Sequence, residues 1–244
     1  RRLALRRIRA PVVPSLTLLG IARDVWRIEP EKIRYIPNGV DCNLFGSVGD
    51  PSAAPEFERR PGETIIGTLA PLRSEKNLYR LLRVFARIPA SRQVRLLIAG
   101  DGAERVGLEA ESGRLGIADR VIFIGHVEQP EKIYPLMDIF AITSDTEQMP
   151  NTLLQAMSAA LPVAGVDAGD IKANLSPWNR EMVVAREDEQ GLADFIIRLL
   201  DDGELRAGLA AANRSHVVET YSADTMFAAY GALFDDLLVG AGRS

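Results

Sequence analysis

The sequence predicts an α/β fold, a doubly wound parallel sheet with helices on both faces. Three observations carry this. From residue 64 onward, short β-rich apolar runs alternate with helical patterns, the order that builds strand–helix–strand units. Runs such as Arg95-Leu96-Leu97-Ile98-Ala99 are apolar at consecutive positions, which demands burial of both strand faces. The polar and glycine-containing turns all follow strands, so they collect at one end of the sheet, where open α/β sheets bind ligands.

The elements follow in order. Residues 11–15 read as a strand, 16–26 as a helix and 33–36 as a second strand, closed by the turn Pro37-Asn38-Gly39. The strand–helix–strand piece over 1–45 is too small to close its own core and must pack on other protein. Residues 46–62 are rich in Pro, Gly, Ser and Ala and read as a linker. The main domain spans 63–221. Its strands are predicted at 64–69, 94–99, 121–124, 139–143, 162–166 and 182–184. Its helices are predicted at 78–88, 103–115, 130–136, 151–160 and 171–175, with closing helices at 190–200, 204–218 and 223–238. The segment 222–244 is set apart as a C-terminal helix. In it Phe227, Tyr230, Phe234 and Leu238 recur at helical spacing, which predicts a core-facing stripe.

Composition excludes several classes. With 47% hydrophobic and 25% charged residues the chain is ordinary for a globular protein. A net charge of −4 argues against a general nucleic-acid binder. The single Cys42 rules out an internal disulfide, and one cysteine with two histidines speaks against a structural zinc site. No apolar run approaches the ~20 residues that span a bilayer. The start lacks the apolar stretch of a secretory leader, so the expected location is cytoplasmic. Arg1, Arg2, Arg6, Arg7 and Arg9 flank Leu3, Leu5 and Ile8. This segment is either a solvated helix at the edge of a larger domain or a peripheral contact for anionic lipid at the inner membrane face.

Five strand-to-helix loops hold the candidate chemistry. Arg73 and Lys76, after the first main strand, are able to hold a phosphate by charge-assisted hydrogen bonds, each about 1.5–3 kcal/mol, or to form a solvated basic turn. The Gly-Lys-Ser/Thr ending of a phosphate-binding P-loop is absent. Gly100 and Gly102 allow close backbone approach to a ligand or serve a plain turn. Gly125 and His126 end the third strand, where the histidine is a base, a ligand contact or a turn residue. The segment Ser144–Met157 runs from a strand into an apolar helix. There Glu147 stands beside Pro150 and a helix start whose free N–H groups favour anions. Asp145 and Glu147 form an Asp-x-Glu pair, read either as a cation chelate or, preferably, as a brace for the turn. The fifth loop is Val166-Asp167-Ala168-Gly169-Asp170-Ile171.

Taken together, Ile36-Pro37-Asn38-Gly39-Val40-Asp41, Leu72-Arg73-Ser74-Glu75-Lys76-Asn77, Leu97-Ile98-Ala99-Gly100-Asp101-Gly102, Val121-Ile122-Phe123-Ile124-Gly125, Ser144 to Met157 and Leu161-Pro162-Val163 resemble the nucleotide-sugar-binding half of GT-B glycosyltransferases of the retaining family 4 type. The match runs from about Val12 to Tyr230. The resemblance implies a Rossmann-like C-terminal domain that binds a nucleoside-diphosphate sugar and serves a hexosyltransferase-like transfer to a glycan or lipid-linked acceptor. It implies that Arg73 and Lys76 neutralise the leaving diphosphate and that Glu147 holds the sugar hydroxyls. The helix start at Met149, Pro150, Asn151, Thr152 and Leu153 would add backbone amides. Gly125 and His126 would meet the base, Gly100 and Gly102 would line the donor, and no metal or further cofactor would be needed. It makes 1–45 the end of an acceptor domain, onto which the C-terminal helix crosses back. This chain alone would then bind the donor but transfer it poorly.

Two departures stand out. Gln155 replaces a ribose-binding glutamate, a loss of about 1–2 kcal/mol. Ala70-Pro71 replaces the usual Gly-Arg, so Arg73 would substitute. Two alternatives remain: a sugar-nucleotide epimerase of the same fold, whose catalytic carboxylates and histidine are not identifiable, and a non-catalytic nucleotide-sugar-binding module.

Overall fold

The computed structural model of the protein describes residues 10–46 and 50–241. The arginine-rich residues 1–9 lie outside the described residues.

The N-terminal piece forms β1 (Val12–Val13), α1 (Leu16–Asp24) and β2 (Arg34–Tyr35), with β1 and β2 paired in parallel. The strands are shorter than expected because Pro11, Pro14 and Pro37 border them and remove ladder donors. Val13, Ala22, Ile28 and Ile33 make a small core of their own.

The main sheet has six parallel strands: β3 (Thr64–Leu69), β4 (Val94–Ala99), β5 (Val121–Gly125), β6 (Ile139–Ile142), β7 (Val163–Val166) and β8 (Val183–Val184). Their order is β5-β4-β3-β6-β7-β8. Every residue of β4, β6 and β7 is buried, as expected for strands covered on both faces. The connecting and closing helices are α2 (Leu78–Ala86), α3 (Arg105–Arg114), α4 (Asn151–Ser158), α5 (Ile171–Asn174), α6 (Glu189–Asp201), α7 (Gly203–Tyr221) and α8 (Ala223–Ala241). In α2 the fully buried Leu81, Leu82 and Phe85, with Leu78 nearly so, share one face, the helical period that the sequence shows. The chain lays β3, β4 and β5 outward in one direction, then returns to place β6 on the other side of β3. The carboxyl ends of β3 and β6 therefore lie side by side at a topological switch point.

Three expectations change. Residues 130–136 form two short 3-10 turns, Pro130–Lys132 and Tyr134–Leu136, rather than one helix. Pro135 has no N–H to give and its ring crowds the preceding turn. The segment 46–62 is no open tether where it is described: Ala54 and Phe57 are buried in the main core, and Arg59 pairs with Asp138 at 2.9 Å. The predicted stripe on α8 faces outward, with Phe227 64%, Phe234 58% and Leu238 72% exposed. The neighbouring Leu233 is buried instead. This helix is apolar on more than one side, so its period alone does not choose the face that meets α7.

Candidate active site

The switch point contains a small cavity of about 30 Å³, lined among others by Thr68, Pro71, Lys76, Ser144, Glu147 and Thr152. Lys76 Nζ donates to Glu147 Oε1 at 2.5 Å, and Ser144 Oγ donates to the same oxygen at 2.7 Å. The Lys76 and Glu147 side chains are 21% and 9% exposed. This is a largely desolvated ion pair that joins the β3 loop to the β6 loop.

Both loops are braced from below. Asn77 is left-handed, with φ 42° and ψ 51°, a conformation asparagine tolerates better than most residues. Its Oδ1 accepts from Arg80 N and caps α2, while its Nδ2 donates to both Asp145 oxygens at 3.1 and 3.0 Å. Arg80 donates from Nη2 to Asp145 Oδ1 at 2.8 Å and from Nη1 to the Thr143 carbonyl at 2.7 Å. Burial pushes the Asp145 carboxyl up, but the bonds from Asn77 and Arg80 outweigh it and hold Asp145 below its ordinary value. Asp145 is thus the brace of the turn: its oxygens serve Asn77 and Arg80, whereas Glu147 serves Lys76 and Ser144.

The α4 start supplies the other wall. Pro150 occupies the cap position and offers no side-chain bond. The N–H groups of Leu153 and Leu154 donate to the Pro150 carbonyl. Those of Asn151 and Thr152 make no hydrogen bond among the described residues, and they carry the positive end of the helix.

The remaining predicted residues fall in different places. Arg73 sits on the rim with its side chain 67% exposed, 4.0 Å from Glu75, and does not line the cavity. Gly100 (φ 130°) and Gly102 are pressed on the 70–72 loop: a Cβ at Gly100 would lie 1.9 Å from the Ala70 carbonyl oxygen. Their conformation serves loop-on-loop packing. Gly125 and the exposed His126 end edge strand β5, with β4 between it and β3. Met149 is buried, its sulfur accepting from Asn174 Nδ2, and the Leu153 side chain is in the core. Gln155 Oε1 accepts from Tyr134 OH at 2.9 Å. It lines a separate cavity of about 150 Å³ with Gly39, Asp41 and Asn151.

Sequence reasoning missed Ser144 as a partner of Glu147, the Asn77–Asp145–Arg80 network and Arg186, which donates to the Asp145 carbonyl at 3.0 Å. A charged residue within a run of apolar helical positions, as Arg80 is between Leu78 and Leu81, is the unused signal in the sequence for a buried pair.

The chain matches the family model "Glycosyl transferases group 1" over residues 51–216. It is 25% identical over 212 residues to N-acetyl-alpha-D-glucosaminyl L-malate synthase of Bacillus anthracis, covering 86% of this chain and 56% of that protein. It is 27% identical over 239 residues to D-inositol 3-phosphate glycosyltransferase of Stackebrandtia nassauensis, covering 91% and 53%. The chain spans about half the length of the curated relatives it matches. Among solved structures it superposes on Anabaena HepE in complex with UDP with a TM-score of 0.85 at 21% identity, covering 96% of this chain and 65% of that one. It matches sucrose-phosphate synthase from Thermosynechococcus elongatus with a TM-score of 0.85 at 23% identity, covering 98% and 61%. Both share its fold. No helix among the described residues is long and apolar enough to cross a membrane.

Proposed function

From the premise that this chain belongs to the glycosyl transferases group 1 family, we propose that it is the donor-binding half of a retaining, metal-independent glycosyltransferase. It takes a nucleoside-diphosphate sugar and serves transfer to a glycan or lipid-linked acceptor held by an acceptor domain. The observation that carries this reading is the Lys76–Glu147 pair beside the open Asn151 and Thr152 N–H groups at the switch point. A cation and a helix start suit a diphosphate, and a carboxylate beside them suits sugar hydroxyls. Anabaena HepE was solved with UDP and with UDP-glucose, which supports a nucleotide-sugar donor for the shared fold.

The chemistry follows from charge. As the bond between sugar and diphosphate breaks, negative charge grows on the leaving phosphate. The Lys76 ammonium and the two amides stabilise that charge more than the ground state. Arg73, on the rim, closes over the outer phosphate. Glu147 keeps one oxygen on Lys76 and Ser144 and turns the other to the sugar hydroxyls, fixing its orientation.

A second reading, a binding module without turnover, draws on Gln155. One lone pair of its carbonyl oxygen is engaged by Tyr134, so it offers a ribose diol its amide N–H groups and at most one acceptor position, less than a carboxylate would. Calorimetry with UDP, GDP and ADP, each alone and as its glucose sugar, tests the first reading. One nucleotide series is expected to bind, and Lys76→Ala is expected to weaken it by about tenfold to a hundredfold, the value of one charge-assisted bond. No binding in any series, or unchanged affinity in Lys76→Ala, refutes it.

A further inference from the structure

The loop after β7 holds a carboxylate that the reaction does not use. Asp170 is 2% exposed, and a buried carboxylate needs donors. It finds them 153 and 154 residues away in sequence, at the start of α1: Leu16 N at 2.5 Å, Thr17 N at 3.0 Å and Thr17 Oγ1 at 2.5 Å. Ser15 caps only the Leu18 N–H, and the first turn of α1 has no acidic residue of its own. Asp170 therefore supplies both the missing acceptors and the negative charge that a helix start favours.

Its neighbour bears on the candidate active site. Gly169 has φ 55°, and a Cβ there would lie 1.6 Å from the Glu147 carbonyl oxygen. The backbone of Glu147 thus rests directly on the residue before Asp170. A continuous chain of contacts runs from α1 through Asp170 and Gly169 to Glu147. Beside it opens a cleft of about 480 Å³ lined by Leu16, Gly169 and Lys172, and Leu16 is 48% exposed. The tie between α1 and the loop thus lies beside an open cleft and is made by polar bonds, while the apolar side of α1 packs on the small N-terminal core.

We propose that Asp170 is a positioning residue that sets Glu147 through its anchor on α1, so that movement of the N-terminal piece alters the grip on the donor sugar. The inference rests on the reading that Glu147 faces that sugar. The diphosphate is held by Lys76 and the α4 start, and the Asp170 chain of contacts meets Glu147 first and reaches Lys76 only through the Lys76–Glu147 ion pair. Loosening the anchor therefore penalises the sugar more than the nucleotide.

The test compares affinities for the preferred nucleoside diphosphate and for its glucose sugar, among UDP, GDP and ADP, by calorimetry on this chain. Two variants are used: Asp170→Asn, which turns an amide N–H toward the helix donors, and Thr17→Val, which removes one bond from the α1 side alone. In both, nucleotide affinity is expected to stay within about twofold of wild type while the affinity for the sugar nucleotide falls by about fivefold, a partial loss of one charged hydrogen bond. Equal ratios in wild type and both variants overturn the proposal and leave the donor reading intact. A parallel loss of both affinities marks a merely structural residue and also overturns it. If Asp170→Asn does not fold, Thr17→Val decides by the same ratio. A wild-type chain that binds no nucleotide or sugar nucleotide removes the donor reading and this inference with it.

Discussion

Asn77→Ala is the sharpest test of how the candidate site is held. Asn77 does three things at once: it caps α2, it bonds the Asp145 carboxylate, and it occupies a left-handed conformation. Loss of the cap costs about 1 kcal/mol. Alanine at φ 42° costs about 1 kcal/mol of backbone strain. The bond to Asp145 lies at the low end for a charged acceptor, about 1 kcal/mol, because the Asp145 side chain is 42% exposed. The three share one residue and do not add fully, so the expected destabilisation is about 2–3 kcal/mol. Asn77→Gly separates the contributions. Glycine accepts the left-handed backbone and is a fair cap residue, so about 1–2 kcal/mol is expected there. Urea unfolding monitored by circular dichroism gives both values if the slope is unchanged. The order wild type, then Asn77→Gly, then Asn77→Ala is required. A loss below about 0.5 kcal/mol in Asn77→Ala, or a glycine variant less stable than the alanine variant, refutes the reasoning.

Burial disfavours the charged form of His216 and Arg180 adds repulsion, which together hold its imidazole below the ordinary histidine value. The unfolded chain therefore takes up the proton first as pH falls through 6.5, and stability declines until the folded pKa is passed. His216→Gln is expected to flatten this slope in thermal melts from neutral to mildly acidic pH, and an unchanged slope rejects the assignment. On α8, Phe234→Ser is expected to change stability by less than about 0.5 kcal/mol, whereas Leu233→Ala costs about 2–3 kcal/mol. The reverse order in chemical denaturation would restore the stripe read from the sequence.

Much of the fold was legible because the main strands are buried on both faces. Runs such as Leu96–Ala99 have no polar side to hide, and the alternation with helices leaves few topologies. The failures share a cause: each depended on what lies across from a segment. Phe57 looked like linker because its neighbours are Pro, Glu and Arg, yet it finds the core. Phe227 and Phe234 looked like core because they are periodic, yet nothing in the described chain covers them. The loops of the candidate site were readable as loops, and Lys76 and Glu147 as candidates. Their direct bond was not, since 71 residues separate them and only the strand order brings them together. Gly100 and Gly102 were noticed for the right property, tolerance of close backbone approach. What approaches is the Ala70 and Leu72 backbone.

The strand crossover also determines when the cavity comes into being as the chain folds. β3, β4 and β5 with their helices form one run of contiguous sequence, and β6, β7 and β8 form another. Lys76 belongs to the first run and Glu147 to the second, so neither run contains the pair. Pairing of β3 with β6 is the longest-range strand contact in the sheet, and contacts of large sequence separation carry the greatest loop-closure entropy and tend to form late. A nicked chain cut between β5 and β6 would keep every residue of the pair but would have to reassemble the seam as a second-order reaction. Recovery of ligand binding after such a cut would then depend on concentration, which makes binding a reporter of the last assembly step.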